Sequence, residues 1–242
     1  MIRTILFDLD GTLLPMDNER FTKGHIQGLI KKLASLGYNP KILEDQIWRC
    51  IAAVLKNDGT CLNMDRFWQT LSSLNPAVWQ PEHREILNSY YTNEFCALKT
   101  YTGENPMAKP LIDALKAEGF GLVLATNPLY PHVAIETRLS WIGLTCDDFD
   151  LVTTYENMHY CKPNPRYYDE IVKKMGKKPE KCMMVGNNPD RDCAAAAAVG
   201  LHTILVLKSS VNESDAPDVP PYTTTNFADL LSTIRRTVKE TI

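Results

Sequence analysis

The spacing of apolar positions changes twice along this chain. Ile5, Leu6 and Phe7 form a short continuous apolar run, the mark of a buried strand, and Asp8, Asp10 and Gly11 follow at once. From there to about residue 99 the spacing is helical. Ile26, Leu29, Ile30, Leu33 and Leu36 outline a first helix that Gly37 stops, and Pro40 opens a second with Leu43, Ile47, Ile51, Val54 and Leu55. The polar break Lys56-Asn57-Asp58-Gly59-Thr60 precedes a third helix with Phe67, Trp68, Leu71 and Leu74. Pro81 begins a fourth, with Ile86, Leu87, Tyr90, Phe95 and Leu98. No strand is predicted in this block.

Beyond Lys99 short apolar runs alternate with amphipathic stretches. Strands are predicted over 121–126, 149–153, 181–185 and 202–207, with helices over 110–118, 133–141, 165–175 and 194–199. Residues 209–225 have no periodicity and read as a surface loop, after which Phe227, Leu230, Leu231 and Ile234 predict a last helix. Strand and helix units alternating at this length imply an α/β fold, a Rossmann-like, mostly parallel sheet with helices on both faces. The helical block is an insertion after the first strand. The expected division is therefore a core domain of residues 1–15 and 100–242 and an all-helical cap domain of residues 16–99. An insertion at that point lies over Asp8 and Asp10, which makes it a candidate lid.

Composition narrows the function classes. A net charge of −3 over 242 residues offers no basic footprint, so a nucleic-acid partner is not expected. The seven cysteines are scattered and form no Cys-x-x-Cys pair, which argues against a disulfide framework or a zinc site. No apolar run has the length of a membrane span, and the first residues do not form a signal sequence. A cytoplasmic protein with no membrane partner is the expectation; the oligomeric state is not legible. The aromatic residues Trp48, Trp68, Tyr90 and Tyr91 are expected to pack the helical block, and the five histidines, lacking ligand spacing, to be ordinary surface or helix residues.

Candidate chemistry gathers at strand ends. Two carboxylates two residues apart at the end of a buried strand need a cation or a shared proton to offset their repulsion, although a turn-capping role is the plainer alternative. The strand at 121–126 ends in Thr126-Asn127, a potential helix cap. Lys162 lies between strand and helix and is flanked by Pro163; an exposed lysine is its plain reading. The strand at 181–185 runs into Gly186-Asn187-Asn188-Pro189-Asp190-Arg191-Asp192, otherwise a solvated turn. In open α/β sheets ligands bind beyond the carboxyl ends of strands, so acids, hydroxyl and lysine share one side of the sheet. That set suits phosphoryl transfer.

With these residues in order, the chain resembles the haloacid dehalogenase superfamily, in particular its phosphatase-like members with a helical cap. Asp8-Leu-Asp-Gly-Thr-Leu13 matches the first motif, Thr126 the second, Lys162 the third, and Gly186 to Asp192 the fourth with one exception. The resemblance implies a Mg2+-dependent hydrolase of small phosphorylated metabolites acting through an aspartyl-phosphate. It implies Asp8 as nucleophile and Asp10 as general acid and base. Thr126 and the amides near Leu9 and Asn127 would hold the phosphoryl oxygens, and Lys162 would steady that group and Asp8. Asp8, the Asp10 backbone carbonyl, Asn187 and Asp192 would ligate Mg2+. The exception is Asn187, where relatives usually carry an aspartate, with Asp190 as a substitute acid. The second acid at Asp10 argues against the dehalogenase branch. Asn57 and Asp58 fall where capped relatives place a substrate-specificity loop. A phosphomutase, or a non-catalytic binder of a phosphorylated metabolite or protein partner, is the alternative outcome.

Overall fold

The computed structural model describes residues 1–207 and 222–241. The first strand, β1 (Thr4–Phe7), leads to helices α1 (Asn18–Ala34), α2 (Pro40–Leu55), α3 (Asn63–Leu74) and α4 (His83–Asn93) and a 3-10 segment, Phe95–Tyr101. Then follow α5 (Ala108–Ala117), β2 (Gly121–Leu124), α6 (His132–Ser140), β3 (Leu151–Val152), α7 (Pro165–Lys174) and β4 (Cys182–Gly186). The chain closes with α8 (Ala195–Ala197), β5 (His202–Val206), β6 (Thr223–Thr225) and α9 (Leu230–Glu240).

Among the described residues all six strands run parallel in the order β3-β2-β1-β4-β5-β6. The fold is thus the α/β Rossmann-like sheet that the alternating pattern predicts. Successive side chains of a strand point to opposite faces, so each strand serves two cores. Ile5, Phe7, Leu122, Leu124, Met183 and Val185 pack against α5, α6 and α9 on one face. Leu6, Val123, Cys182 and Met184 pack against α7 and α8 on the other. Burial on both faces explains why these strands read as continuous apolar runs.

The inserted helices build a hydrophobic cluster of their own around Phe21, Leu33, Ile47, Trp68, Leu71 and Phe95. It meets the sheet-bearing part through α6. Ala134 joins the cluster, and the Trp141 ring lies 6.2 Å from that of Phe95 and 6.4 Å from that of Phe21.

Three expectations need correction. The predicted loop over 209–225 ends in a strand. β6 pairs Thr223 with Ile204 at the sheet edge, and three threonines carry no apolar alternation to announce it; the rest of that stretch lies outside the described residues. The helix expected over 194–199 begins earlier, as a π-helical turn at Pro189–Ala194 that α8 continues. Trp48 does not pack the helical cluster but is 45% exposed. His25 and His83 are helix residues as expected, on α1 and α4, and both are buried, with their Nδ1 atoms 3.2 and 3.1 Å from the hydroxyls of Tyr90 and Tyr38.

Candidate active site

β1 is central, with β2 and β4 on its two sides, so the loops after all three strands converge. The Asp8 N–H donates to the Val185 carbonyl at 2.9 Å, and the chain then folds back on itself, Leu14 N–H donating to Leu9 O at 2.9 Å. Gly11 allows this with φ +88°, a backbone conformation that L side chains resist. A Cβ at Gly11 would also lie 2.2 Å from Asn187 Nδ2, so its absence admits Asn187 against the loop.

The structure brings Asp8, Lys162 and Asp192 into one buried group. Lys162 Nζ donates to Asp8 Oδ1 at 2.8 Å and to Asp192 Oδ1 at 2.7 Å. Thr12 Oγ1 donates to Asp8 Oδ2 at 3.0 Å, and the Asn188 N–H donates to Asp192 Oδ2 at 2.9 Å. Gly186 is required for this approach, since a Cβ there would stand 2.3 Å from Asp192 Oδ2. Two carboxylates share one ammonium, which leaves a negative charge over in a buried place. Burial therefore raises the Asp8 carboxyl to about 6, with Asp192 adding to the rise and Lys162 opposing it. For Lys162 burial works against the ammonium, but Asp192 and Asp8 outweigh it and its pKa lies well above the ordinary lysine value.

Asp10 is held separately. Its Oδ2 accepts from Arg138 Nη1 at 2.5 Å, and the Arg138 guanidinium, fully buried, lies 4.4 Å from the centroid of the Tyr130 ring. Asp10 Oδ1 and Arg138 Nη2 are buried without a hydrogen-bond partner among the described residues. Reading the sequence alone did not single out Arg138. The available signal was a cation on the apolar stripe of a predicted helix, beside Ala134, Ile135 and Leu139 on α6.

Thr126 and Asn127 follow β2. The Thr126 carbonyl accepts from Tyr167 Oη at 2.8 Å and Thr153 Oγ1 at 2.7 Å, so two side chains that the motifs do not include fix this turn. Asn127 Oδ1 accepts from the Lys162 N–H at 3.2 Å, tying the loops after β2 and β3 together. Leu9 is fully buried, its side chain part of the sheet's hydrophobic core. Asp190 is exposed and its N–H is capped by Asn188 Oδ1 at 3.1 Å, apart from the buried acids.

Asn57 and Asp58 do not line the cavity beside Lys162. Asn57 is buried, donating to Asn63 Oδ1 and Cys61 O at 2.9 Å each, and Asp58 accepts from Arg66 at 2.8 Å. Their loop instead docks the helices on the sheet, with Asn63 donating to Pro128 O at 3.3 Å.

Among the described residues no three His, Cys, Asp or Glu side chains cluster as a metal site. The chemistry of the donors still fits a hard divalent cation. Asp8, Asp192, the Asn187 amide oxygen and the Asp10 carbonyl would be an all-oxygen set, and the surplus negative charge between Asp8 and Asp192 calls for a cation.

The family profile of haloacid dehalogenase-like hydrolases matches residues 2–200. The chain belongs to this family. A glyceraldehyde 3-phosphate phosphatase of Methanopyrus kandleri is 26% identical over 99% of this chain and 100% of its own length. A phosphoglycolate phosphatase of Aquifex aeolicus is 26% identical over 95% of each. Among solved structures, a phosphatase of the family from Thermococcus onnurineus superposes with a TM-score of 0.58 at 21% identity, covering 96% of this chain and 98% of that one. A 2-haloacid dehalogenase from Pseudomonas syringae gives 0.62 at 20% identity over 98% and 100%, a likeness of fold. This haloacid dehalogenase-like hydrolase is thus an enzyme, and the Methanopyrus and Aquifex relatives that match it over nearly its full length are phosphatases.

Proposed function

We propose that this hydrolase cleaves small phosphomonoesters through an aspartyl-phosphate on Asp8, with Mg2+ as cofactor. The observation that carries this reading is the Lys162 ammonium spanning Asp8 and Asp192 at 2.8 and 2.7 Å, with a second acid, Asp10, two residues beyond Asp8. Thr12 and Lys162 orient the Asp8 carboxylate for attack, and their hydrogen bonds withhold neither oxygen completely. An Asp8 oxygen bonds to phosphorus as the ester P–O bond breaks, and Asp10 gives its proton to the departing alcohol oxygen. Water then attacks the same phosphorus, loses a proton to Asp10, and releases inorganic phosphate and the free Asp8 carboxylate. Asp10 Oδ1, which has no hydrogen-bond partner among the described residues, carries that proton, while Oδ2 is held by Arg138.

Thr126 and the amides near Leu9 and Asn127 hold the phosphoryl oxygens, with Lys162 neutralising them. Asp8, the Asp10 carbonyl, Asn187 and Asp192 would hold Mg2+, which would supply further positive charge to that group. Residues 16–99 act as a cap over residues 1–15 and 100–242, excluding bulk water while the intermediate exists. Relatives named for glyceraldehyde 3-phosphate and phosphoglycolate support a small phosphate ester as the substrate class.

Hydrolysis of p-nitrophenyl phosphate, with and without Mg2+ and beside Asp8→Asn, tests the reading. Turnover that needs both Mg2+ and Asp8 supports it; turnover surviving Asp8→Asn removes the nucleophile from the mechanism.

A further inference from the structure

Beside Lys162 lies a cavity of about 400 Å³, within the range of small-molecule sites. Its two ends differ in chemistry. Lys162, Asn127 and Arg191 stand on the sheet side. The opposite walls are Ile26 and Leu29 of α1, Trp48, Ile51 and Leu55 of α2, and Phe67 of α3. Those helices contribute no Asp, Glu, Lys or Arg to the lining. Their polar side-chain atoms there are confined to Thr22, His25 and the indole N–H of Trp48, with Tyr91 of α4 beside them. The His25 Nδ1 is already engaged with the Tyr90 hydroxyl at 3.2 Å, and burial pushes the ring down to about 3, so it stands neutral.

A short polyol or acid bound through its phosphate would find little to satisfy its hydroxyls or carboxylate on these walls, and each unpaired polar group would lose its hydration. The cavity also leaves apolar surface open. Trp48 is 45% and Leu55 41% exposed, and both face it. Exposed side chains of that size beside a polar centre mark a surface that a ligand covers.

We propose that the leaving group of the substrate is a largely apolar alcohol, an alkyl or aryl group seated against α1, α2 and α3 with its phosphate at Lys162 and Asn127. This rests on the phosphatase reading above and narrows it. Methylene by methylene, the alcohol exchanges water for the Ile26, Leu29, Ile51 and Phe67 surface, which favours longer chains until the cavity is filled.

The test is a series of n-alkyl phosphates from methyl to octyl, beside phosphoglycolate and glyceraldehyde 3-phosphate, assayed with Mg2+. kcat/KM is expected to rise about fourfold per methylene until the cavity is full. Trp48→Ala and Ile51→Asn are expected to flatten that slope; Trp48 is exposed, so its replacement spares the fold. A flat series in wild type, or the two polar phosphates exceeding hexyl phosphate, overturns the proposal. Binding of methyl and hexyl phosphate to Asp8→Asn by calorimetry separates the two readings. Tighter hexyl binding without wild-type turnover leaves the apolar site standing and removes the phosphatase; equal binding removes the apolar site whatever the turnover.

Discussion

Arg138 and Asp10 are 128 residues apart in sequence, yet the guanidinium of one meets the carboxylate of the other at 2.5 Å with the arginine fully buried. The pair binds α6, a helix packed on the sheet, to the loop that carries both candidate catalytic acids. Tyr130 covers the guanidinium at 4.4 Å and also lines the cavity beside Lys162, so one contact chain joins Asp10 to that cavity.

Removing Arg138 strips a buried cation from a carboxylate that is only 26% exposed. Arg138→Met should destabilise the fold by about 3 kcal/mol, the lower end for breaking a buried pair because Asp10 keeps some contact with water. Arg138→Lys retains the charge without the planar fork that stacks on Tyr130, and should fall between. Urea unfolding reads the stability. Turnover of folded Arg138→Lys should drop about 100-fold if Arg138 orients the proton-transfer group.

Asp8 must be ionised to attack. Since burial holds its carboxyl at about 6, kcat/KM should climb as pH rises through that value and level off above it. More divalent cation favours the carboxylate and should shift the midpoint downward. The sign for stability is opposite. A carboxyl raised on folding keeps its stabilising contribution below the ordinary carboxyl pKa, and the cation-free protein should lose stability as pH rises through about 6. Rate profiles at two Mg2+ concentrations and thermal melts in chelator check both limbs.

Asn187→Asp adds a carboxylate beside Gly11, in the loop after β4 that also carries Asp192. Without cation the third acid should lower the melting temperature. With it, Mg2+ should bind roughly tenfold tighter or more, and the order of melting temperatures should reverse. Equal Mg2+ dependence in both proteins, read by titration calorimetry, would exclude Asn187 as a ligand.

Gly11→Ala places a methyl group 2.2 Å from Asn187 Nδ2 at a positive φ. The expected cost is roughly 1 kcal/mol or more in stability, together with a fall in turnover as Asn187 is displaced. Combining it with Asn187→Gly, which removes the clashing amide, should recover part of the stability but not the activity. Unfolding and p-nitrophenyl phosphate assays on the single and double variants read these effects.

Ile5 to Phe7 announced a strand buried on both faces because side chains on both sides of it must be apolar, and Asp8-Leu-Asp-Gly-Thr-Leu13 announced a sharp turn bearing two acids because only glycine turns there without strain. Those signals are local, written in adjacent residues, and so are the helical spacings from Ile26 to Leu98. Three other features were not legible. β6 exists because Ile204 offers a sheet edge to Thr223, a partner that the threonines themselves do not reveal. Asn57 and Asp58 spend their polar atoms on Asn63, Cys61 and Arg66, and Trp48 faces a cavity instead of the helical cluster. The sequence by itself determined which elements form and which polar residues stand at their ends. Only the tertiary structure decided that Lys162 spans Asp8 and Asp192, that Arg138 reaches Asp10, and that apolar side chains of α1, α2 and α3 line the cavity beside Lys162. The physical reason is that these are contacts between residues 30 to 154 positions apart, set by sheet order and helix placement, which no spacing along the chain encodes.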